Sequence, residues 1–257
     1  AQGTGIAAAA DARGWVVLMP RQRESANAWS CWNWFDTATA DGAGESAIVA
    51  AMTRKAIRRH HVDRSRVFAA GMSAGGALAA ILGVRYAQLF RGVVVHSGIA
   101  CGAARSAFTA TSVMARGPEV DVAAIGAAAH NPQRRVALLA IHGMADDVVA
   151  PRNAAALARQ YLALGAYPVA AAKLPRADSE HVIAGGRRTS VRDWRDPGGL
   201  VARLVEIDGL QHAWSGGDAA LPFNDGAPPI ALDLIDEWMR GLASHSAKIG
   251  KPAGDEQ

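Results

Sequence analysis

The pentapeptide GMSAG (71–75) is the stretch of the sequence that most directly implies chemistry. It matches the G-x-S-x-G pattern, in which a serine occupies a strained turn between a strand and a helix, and small residues on both sides let these elements approach each other. Here it lies between the strand-like segment 65–71 and the helix-like segment 72–90. The pattern alone fits many turns in a chain with 27 glycines, but in this context it predicts that Ser73 is a nucleophile.

A serine hydroxyl is a weak nucleophile at neutral pH, so it needs a general base, and the base needs an orienting carboxylate. In this kind of strand-turn-helix site the acid and the histidine follow the serine along the chain, each after a later strand. His212, in EIDGLQHAWSGG, lies just past the last predicted strand and is therefore the predicted base. The other seven histidines precede the serine or lie in strand ends, loops and helices that fit this role less well: His60, His61, His96, His130, His142, His181 and His245.

Three aspartates could orient that imidazole, and the residues alone leave the choice open. Asp146 and Asp147 lie in AIHGMADD, beyond the predicted strand 134–143, and only one of two consecutive side chains can point at the imidazole from a given turn. Asp208 is the third candidate, although its position four residues before His212 would place it at the strand end beneath the histidine. Capping of turns and helices is the common alternative use of such aspartates.

The elements that must position these residues alternate along the chain. Short apolar runs predict strands at 14–20, 65–71, 91–98 and 134–143, and a Pro-Gly-Gly turn predicts two more within 189–209. Helical spacing and terminal signals predict helices at 45–60, 72–90, 151–165 and 227–242. This order predicts an α/β fold in which helices cover both faces of a mostly parallel central sheet. In such a sheet, chemistry belongs on the loops that leave the carboxyl ends of the strands.

Composition limits the classes of function. A chain of 257 residues that is 50% hydrophobic and 19% charged fits one catalytic domain, predicted for residues 1–245, followed by a disordered tail at 246–257. The net charge is +4, but the arginines are scattered, so neither nucleic-acid binding nor a basic face is predicted. No apolar run approaches the roughly 18 residues that span a bilayer, so no membrane association is predicted. Because no metal-ligand spacing or phosphate loop occurs, no metal and no cofactor are expected.

Several motifs together resemble the polyhydroxybutyrate depolymerase family of esterases, within the α/β-hydrolase superfamily. They are SCWNWFD, VDRSRVFAAGMSAGGALAA, HSG, IHGMADDVVAP and DGLQHAWSGG, and the likeness covers residues 2–242. HAWSGG and CWNWF are far more specific than G-x-S-x-G. The resemblance implies that Ser73 is the nucleophile, Asp146 the acid and His212 the base, with the backbone N–H of Ala74 as an oxyanion donor. It also implies an ester or polyester substrate and an extracellular or periplasmic location, although the first residues do not have the pattern of a signal peptide.

One part of the family pattern has no counterpart. Family members typically begin with a strand that ends in a Leu-His-Gly-Cys-type loop, and that loop carries the second oxyanion donor. We therefore expect an N-terminally truncated α/β-hydrolase fold, and loss of one such donor typically lowers turnover about 100- to 1000-fold. His142-Gly143 follows the strand that delivers the acid, so it is interpreted as part of the acid loop. Cys31 would also lack its neighbour from the missing loop, which leaves Cys101 as its only possible disulfide partner within the chain.

The resemblance implies Ser-His-Asp acyl transfer on short-chain polyhydroxyalkanoates, such as poly-3-hydroxybutyrate, or on their oligomers. Related esterases release feruloyl or acetyl groups from plant polysaccharides with the same triad, so the triad cannot choose the substrate. A catalytically impaired fragment or a non-catalytic binding protein is the alternative of another class, and a peptidase is disfavoured because no propeller or large cap fits. The oligomeric state is not predicted. Trp34, Trp214 and Met72 are the predicted substrate contacts, although most large aromatic residues are packing residues.

Overall fold

The protein is described by a computed structural model that covers residues 2–170, 173–183 and 186–249, with side chains described as far as residue 242. Its main sheet has six strands in the order β1-β2-β3-β6-β5-β4. β1, β2, β3 and β6 run parallel to one another, whereas β5 is antiparallel to both of its neighbours. The strands are β1 (Phe68–Met72), β2 (Gly92–His96), β3 (Ala137–Gly143), β4 (Ser179–Ile183), β5 (Thr189–Asp196) and β6 (Gly199–Ile207).

Helices connect most of these strands, and a small ladder follows the last one. The helices are α1 (Ile6–Arg13), α2 (Thr37–Ala40), α3 (Gly44–Arg59), α4 (Ala74–Arg85), α5 (Ala107–Arg116), α6 (Val122–Ala128), α7 (Arg152–Leu164) and α8 (Ala231–Ile249). The small ladder pairs β7 (Trp214–Ser215) with β8 (Asn224–Asp225) in parallel. In the part of the chain that the structure describes, none of the helices is long and apolar enough to cross a membrane.

Both faces of the sheet are buried, as predicted for parallel strands between layers of helices. Along β2, Val93 and Val95 point into one apolar core and Val94 points into a second core on the opposite face. The first core is completed by residues of α3, α4 and α7, and the second by residues of α1 and α8. Because successive side chains of a strand point to opposite faces, a run of valines is what a strand buried on both sides requires.

The predicted strand at 14–20 does not form. Val16, Leu18 and Met19 are 54%, 39% and 54% exposed, and this segment has no ladder partner among the described residues. β1 therefore forms one edge of the sheet. A short apolar run cannot by itself establish a strand, because a strand also needs a neighbour to accept its backbone hydrogen bonds.

The short elements α2, β7 and β8 escaped prediction, and so did four longer ones. α1 is rich in alanine and has little contrast between its faces, so periodicity does not reveal it. α5 and α6 lie in the segment 99–133 that shows no strong periodicity, although a capping box at Ser106 and Thr109 and the N-cap Asp121 mark their starts. β4 is an edge strand whose first four residues are exposed, so it lacks a buried pattern.

Two helix predictions need correction in detail. The helix predicted at 45–60 from the spacing of Ile48, Met52 and Ile57 forms as α3. Its buried side includes Val49 and Ile57, whereas Ile48 and Met52 are exposed. The closing helix α8 continues to Ile249, into the predicted disordered tail at 246–257. Residues 250–257 lie outside the described part of the chain, so the tail stays a prediction.

Candidate active site

Ser73 occupies the turn between β1 and α4, with φ 55° and ψ −122°. A non-glycine residue in such a conformation is strained by on the order of 1–3 kcal/mol and needs its surroundings to hold it there. Two backbone hydrogen bonds do so, because Ser73 N–H donates to His96 O at 2.9 Å and Ser73 O accepts from Ala77 N–H at 2.9 Å. The turn therefore fixes Ser73 directly against the end of β2.

The turn is tight at one of its two flanking glycines. A Cβ on Gly71 would lie 2.2 Å from Gly75 O, which is too close for any side chain. A Cβ on Gly75 would have only a Trp32 ring atom near it, at 4.0 Å. Steric closeness of strand and helix therefore requires glycine at position 71 and leaves room for a methyl group at position 75.

His212 is hydrogen bonded to Asp146. Its Nδ1 lies 2.9 Å from Asp146 Oδ2 and 3.1 Å from Oδ1, and both side chains are almost completely buried. Asp146 Oδ1 also accepts the backbone N–H groups of Val148 at 3.1 Å and Val149 at 2.8 Å. With a carboxylate at Nδ1, the imidazole carries its proton on that nitrogen and leaves Nε2 as the basic atom.

The geometry separates the three candidate acids. Asp147 is exposed, and Asp208 is exposed and forms an ion pair with Arg188 at 3.7 Å. Asp146 is the one that reaches the imidazole. Burial by itself raises the pKa of Asp146, but hydrogen bonds from His212, Val149 and the Ser97 side chain outweigh burial and hold that pKa below its ordinary value. Asp146 is therefore ionised at neutral pH.

The loops that carry the acid and the base are joined by their backbones. Met144 N–H donates to Ile207 O at 2.9 Å and Ala145 N–H donates to Leu210 O at 3.0 Å, which extends the pairing of β3 with β6 beyond both strands. A Cβ on Gly143 would lie 2.1 Å from Leu210 O, so the approach allows only glycine there. His142 and Gly143 are the last two residues of β3 and directly precede the acid loop, so the prediction that they belong to the loop itself is wrong.

Ser73, Asp146 and His212 follow the parallel strands β1, β3 and β6, respectively. All three therefore lie at the edge of the sheet that is formed by the carboxyl-terminal ends of the strands. Among the described residues no hydrogen bond joins the Ser73 hydroxyl to His212. In enzymes without a bound substrate this contact is often long and shortens only in the complex. The backbone N–H of Ala74 lies at the start of α4, where N–H groups have no partner within the helix. It is thus available to an anion, and its role as an oxyanion donor stays a prediction.

Two further imidazoles, of His96 and His142, lie beneath the site, and the sequence pattern predicted no role for either. His96 is fully buried, and burial, together with the nearby His142 and His212, lowers its pKa to about 3. His142 is also buried, which lowers its pKa, and its Nε2 lies 2.8 Å from Val149 O and so donates to that carbonyl. Both rings are therefore neutral at ordinary pH. The sequence signal that could have placed them near the site is their position at the carboxyl-terminal ends of β2 and β3.

His96 links the ladder β7–β8 to the acid. Its Nε2 accepts the backbone N–H of Ser215 at 3.3 Å, so the neutral ring carries its proton on Nδ1, 3.3 Å from Ser97 Oγ. The Ser97 side chain in turn lowers the pKa of Asp146 through a hydrogen bond. Ser97 has a φ of 47°, a second strained position at this edge. A chain of hydrogen bonds thus runs from Ser215 through His96 and Ser97 to Asp146.

Two predicted substrate contacts are core residues. Trp34 is 6% exposed and meets the edge of Phe35, with 5.6 Å between ring centroids. Trp214 is also 6% exposed and stacks on His96 at 5.2 Å. Since neither ring offers its face to solvent, the prediction that they contact substrate is corrected to a packing role. Met72 is half-buried against the second core, at the residue before Ser73.

Phe223 is an exposed aromatic residue beside the base. It is 69% exposed, has a φ of 58°, and its ring meets the His212 ring edge-on with 6.4 Å between centroids. Met144 and Val148, on either side of Asp146, are 43% and 41% exposed. Sequence reasoning missed these residues because nothing in their spacing separates an exposed apolar side chain from a buried one.

The two cysteines are free, so the disulfide considered for Cys31 and Cys101 is not formed. Cys31 is exposed and Cys101 is buried. Burial raises the pKa of the Cys101 thiol to about 11, which makes it a packing residue and not a reactive thiol.

Comparisons with known proteins agree with this geometry. The family model described as "Esterase PHB depolymerase" matches residues 1–182. Poly(3-hydroxyalkanoate) depolymerase C of Paucimonas lemoignei is 29% identical over 167 residues, which are 58% of this chain and 40% of that protein. Feruloyl esterase B of Thermothelomyces thermophilus is 29% identical over 169 residues, which are 62% of this chain and 58% of that protein. The chain thus spans about half the length of these curated relatives.

The fold has a counterpart among solved structures. The acetyl xylan esterase from Aspergillus awamori matches with a TM-score of 0.63 and 21% identity, over 82% of this chain and 73% of that chain. This likeness supports the α/β-hydrolase arrangement of sheet and helices.

Proposed function

Because the chain belongs to the esterase PHB depolymerase family, we propose that it hydrolyses carboxylic esters with Ser73 as nucleophile, His212 as general base and Asp146 as the orienting acid. The observation that carries this proposal is the hydrogen bonding of His212 Nδ1 to both carboxylate oxygens of Asp146. That pairing leaves Nε2 to take a proton at the sheet edge where the strained turn presents Ser73.

The reaction has two halves. In the first, Nε2 of His212 takes the Ser73 proton while Oγ attacks the ester carbonyl carbon, and the resulting oxyanion is stabilised by the N–H of Ala74 at the start of α4. When the tetrahedral intermediate collapses, the carbon–oxygen bond to the alcohol breaks and Nε2 returns the proton to that alcohol. In the second half, water attacks the acyl-Ser73 ester in the same way and releases the carboxylic acid and free serine.

Asp146 supports both halves because it stays ionised. Each time His212 becomes an imidazolium, the carboxylate at Nδ1 lies 2.9 Å away and stabilises the positive charge. The three other donors around it, from Val148, Val149 and Ser97, keep it oriented between turnovers.

As the substrate we propose short-chain polyhydroxyalkanoate, such as poly-3-hydroxybutyrate, or its oligomers, in line with the name of the Paucimonas lemoignei relative. The exposed apolar side chains of Phe223, Met144 and Val148 around the acid and base would contact the aliphatic parts of such an ester. Feruloyl or acetyl esters of plant polysaccharides are the second candidate, because Phe223 offers an exposed ring to an aromatic acyl group. Export from the cytoplasm, which the family resemblance implies, stays a prediction.

One experiment tests the reaction and the substrate together. Purified protein is given a 3-hydroxybutyrate oligomer, methyl ferulate and p-nitrophenyl acetate, and Ser73→Ala is assayed beside it. We expect ester hydrolysis by the wild type, fastest on the hydroxybutyrate oligomer, and none above background by Ser73→Ala. Equal activity in both would refute the assignment of Ser73.

The same preparations test the alternative of another class, a non-catalytic binding protein. A fluorophosphonate probe modifies a serine only when its hydroxyl is activated. Labelling of the wild type and not of Ser73→Ala is the expected result. If the wild type neither reacts with the probe nor hydrolyses any of the three esters, it is a binding protein and not an enzyme.

A further inference from the structure

A second cluster of charged side chains lies at the opposite edge of the sheet, where the parallel strands begin. A pocket of about 180 Å³ opens there between the starts of β2 and β6 and the helix α8. Arg91 directly precedes β2 and Gly198 directly precedes β6. Trp238 of α8 packs so closely on this corner that a Cβ on Gly92 would lie 2.6 Å from its ring.

The three arginines that line this pocket are not equivalent. Arg203 pairs with Asp193 at 2.7 Å and with Glu237 at 3.2 Å, and Arg195 pairs with Asp193 at 3.0 Å. Arg91 has no carboxylate partner among the side chains that the structure describes. It is also close to the cation of Arg135, and burial together with Arg135 lowers the pKa of Arg91. The half-buried Arg91 guanidinium therefore lines a pocket whose carboxylate, that of Glu237, is paired with Arg203 and not with Arg91.

Buried hydrogen-bond donors without a partner collect at the same place. Arg91 Nη1, the Trp238 indole N–H and Arg135 Nε are buried and make no hydrogen bond. Arg135 adjoins the pocket, since a Cβ on Gly198 would lie 1.9 Å from its Nη1. Buried polar atoms nearly always have partners, so three unsatisfied donors at one corner point to an acceptor from outside the chain.

We propose that this pocket binds a small oxyanion, a carboxylate or a phosphate, between the Arg91 guanidinium and the Trp238 indole N–H. The planar guanidinium fork matches two oxygens of such a group. Water could satisfy the donors, but only an anion also offsets the charge of Arg91, since Arg135 is already paired with Asp196. The pocket lies at the far end of the strands from Ser73, so the proposal does not depend on ester hydrolysis.

Isothermal titration at constant ionic strength tests the site, with phosphate, malonate and chloride as the three ligands. We expect saturable binding of phosphate or malonate to the wild type and none of chloride, and the tighter of the two identifies the preferred class. Arg91→Gln should weaken that binding at least about tenfold, as loss of a hydrogen bond to a charged group does. The matched control Arg58→Gln removes the same charge from an exposed position on α3 and should bind like the wild type.

The proposal fails if the wild type binds neither anion saturably, or if Arg91→Gln and Arg58→Gln bind equally well. A second measurement on the wild type decides the matter should Arg91→Gln not fold. The indole Nε1–H resonance of Trp238, assigned with Trp238→Phe, should move during the same titration and saturate at the same concentration. A resonance that stays in place overturns the proposal.

Discussion

The two edges of the parallel strands both carry buried ionisable groups, but only one edge gives every such group a partner. At the carboxyl-terminal edge, Asp146 and the imidazoles of His96, His142 and His212 are all joined by hydrogen bonds, and the indole N–H of Trp214 is the unsatisfied donor beside them. At the amino-terminal edge, the carboxylates are paired while guanidinium nitrogens remain without acceptors.

The difference separates two ways of using buried polarity. Catalysis requires the reacting groups to be oriented before the substrate arrives, so their remaining hydrogen bonds must already be made within the protein. A binding pocket must instead keep donors unoccupied until the ligand supplies acceptors. The comparison predicts that substitutions at the first edge damage activity strongly, and that substitutions at the second change stability and anion binding while activity is maintained.

The largest loss of activity is expected from Asp146→Asn, which disrupts the hydrogen-bonded network at the carboxyl-terminal edge. An amide at this position can hold His212 in the wrong tautomer, and the equivalent change in serine proteases lowers kcat by about 10⁴-fold. Steady-state kinetics on a soluble ester measures the effect. Asp147→Asn, one residue along and exposed, is the control and should change kcat less than about twofold. A larger loss in Asp147→Asn than in Asp146→Asn would reverse the assignment of the acid.

The next largest effect is expected at the turn that carries Ser73, where it is a loss of stability. Gly71→Ala places a methyl group 2.2 Å from Gly75 O, and such overpacking lowers the free energy of unfolding by about 1–3 kcal/mol. Gly75→Ala meets only Trp32, at 4.0 Å, and should stay within about 0.5 kcal/mol of the wild type. Urea denaturation of both variants measures the difference. Equal losses would contradict the geometry of the turn.

His96 makes the stability of the folded protein depend on pH. Its pKa in the folded protein is about 3, against an ordinary value of 6.5, so the unfolded chain binds a proton that the folded protein excludes. Stability from this group is therefore complete above pH 6.5 and is lost as the pH falls toward 3. The groups that face the ring are His142, His212 and Asp146.

His96→Asn removes this contribution while an amide N–H can still donate to Ser97. Between about pH 7.5 and pH 5, the wild type should lose about 2 kcal/mol more unfolding free energy than the variant does. Urea denaturation at the two pH values measures this. Equal losses in both proteins would mean that His96 is not held neutral.

At the amino-terminal edge, substitution of a paired arginine should lower the free energy of unfolding, whereas substitution of an unpaired arginine should not. Arg135→Gln breaks the ion pair with Asp196 and the hydrogen bond to Gly199 O at 2.9 Å, so it should lower unfolding free energy by about 1 kcal/mol. Arg91→Gln removes a desolvated charge without a partner, so in an anion-free buffer it should leave stability unchanged or raise it by a few tenths of a kcal/mol. Thermal denaturation distinguishes them. A greater loss of unfolding free energy in Arg91→Gln than in Arg135→Gln would contradict the assignment of Arg91 as the arginine without a partner.

Much of the fold could be predicted because parallel strands buried on both faces leave a plain signal. The valines of β2 and the apolar run of β3 are continuous, and Pro-Gly-Gly marks the hairpin between β5 and β6. α1, α6 and β4 could not be found in the same way, since alanine-rich helices and exposed edge strands show no contrast between faces. The segment 14–20 fails for the opposite reason, because its apolar pattern has no neighbouring strand to pair with.

The site was predictable as far as chain order and motif allowed. Ser73 and His212 follow from the turn pattern and from position after the last strand, and the choice of Asp146 over Asp147 came from the family resemblance. The family match confirms that resemblance, while the catalytic role of each residue stays a prediction. Sequence reasoning could not assign His96, Ser97 and Phe223. Their parts depend on which atoms meet across β2, β3 and the ladder β7–β8, and spacing along one chain does not contain that information.

The backbone bonds between the acid and base loops have a consequence for motion. The backbones of Met144 and Ala145 are hydrogen bonded to Ile207 and Leu210. We therefore expect Asp146 and His212 to move together when the sheet deforms. Ser73 follows β1, which is three positions away from β6 in strand order, and its backbone is bonded instead to His96. We therefore expect thermal fluctuation to change the distance between serine and imidazole more than the distance between imidazole and carboxylate. Heating should misalign the nucleophile before it disturbs the base.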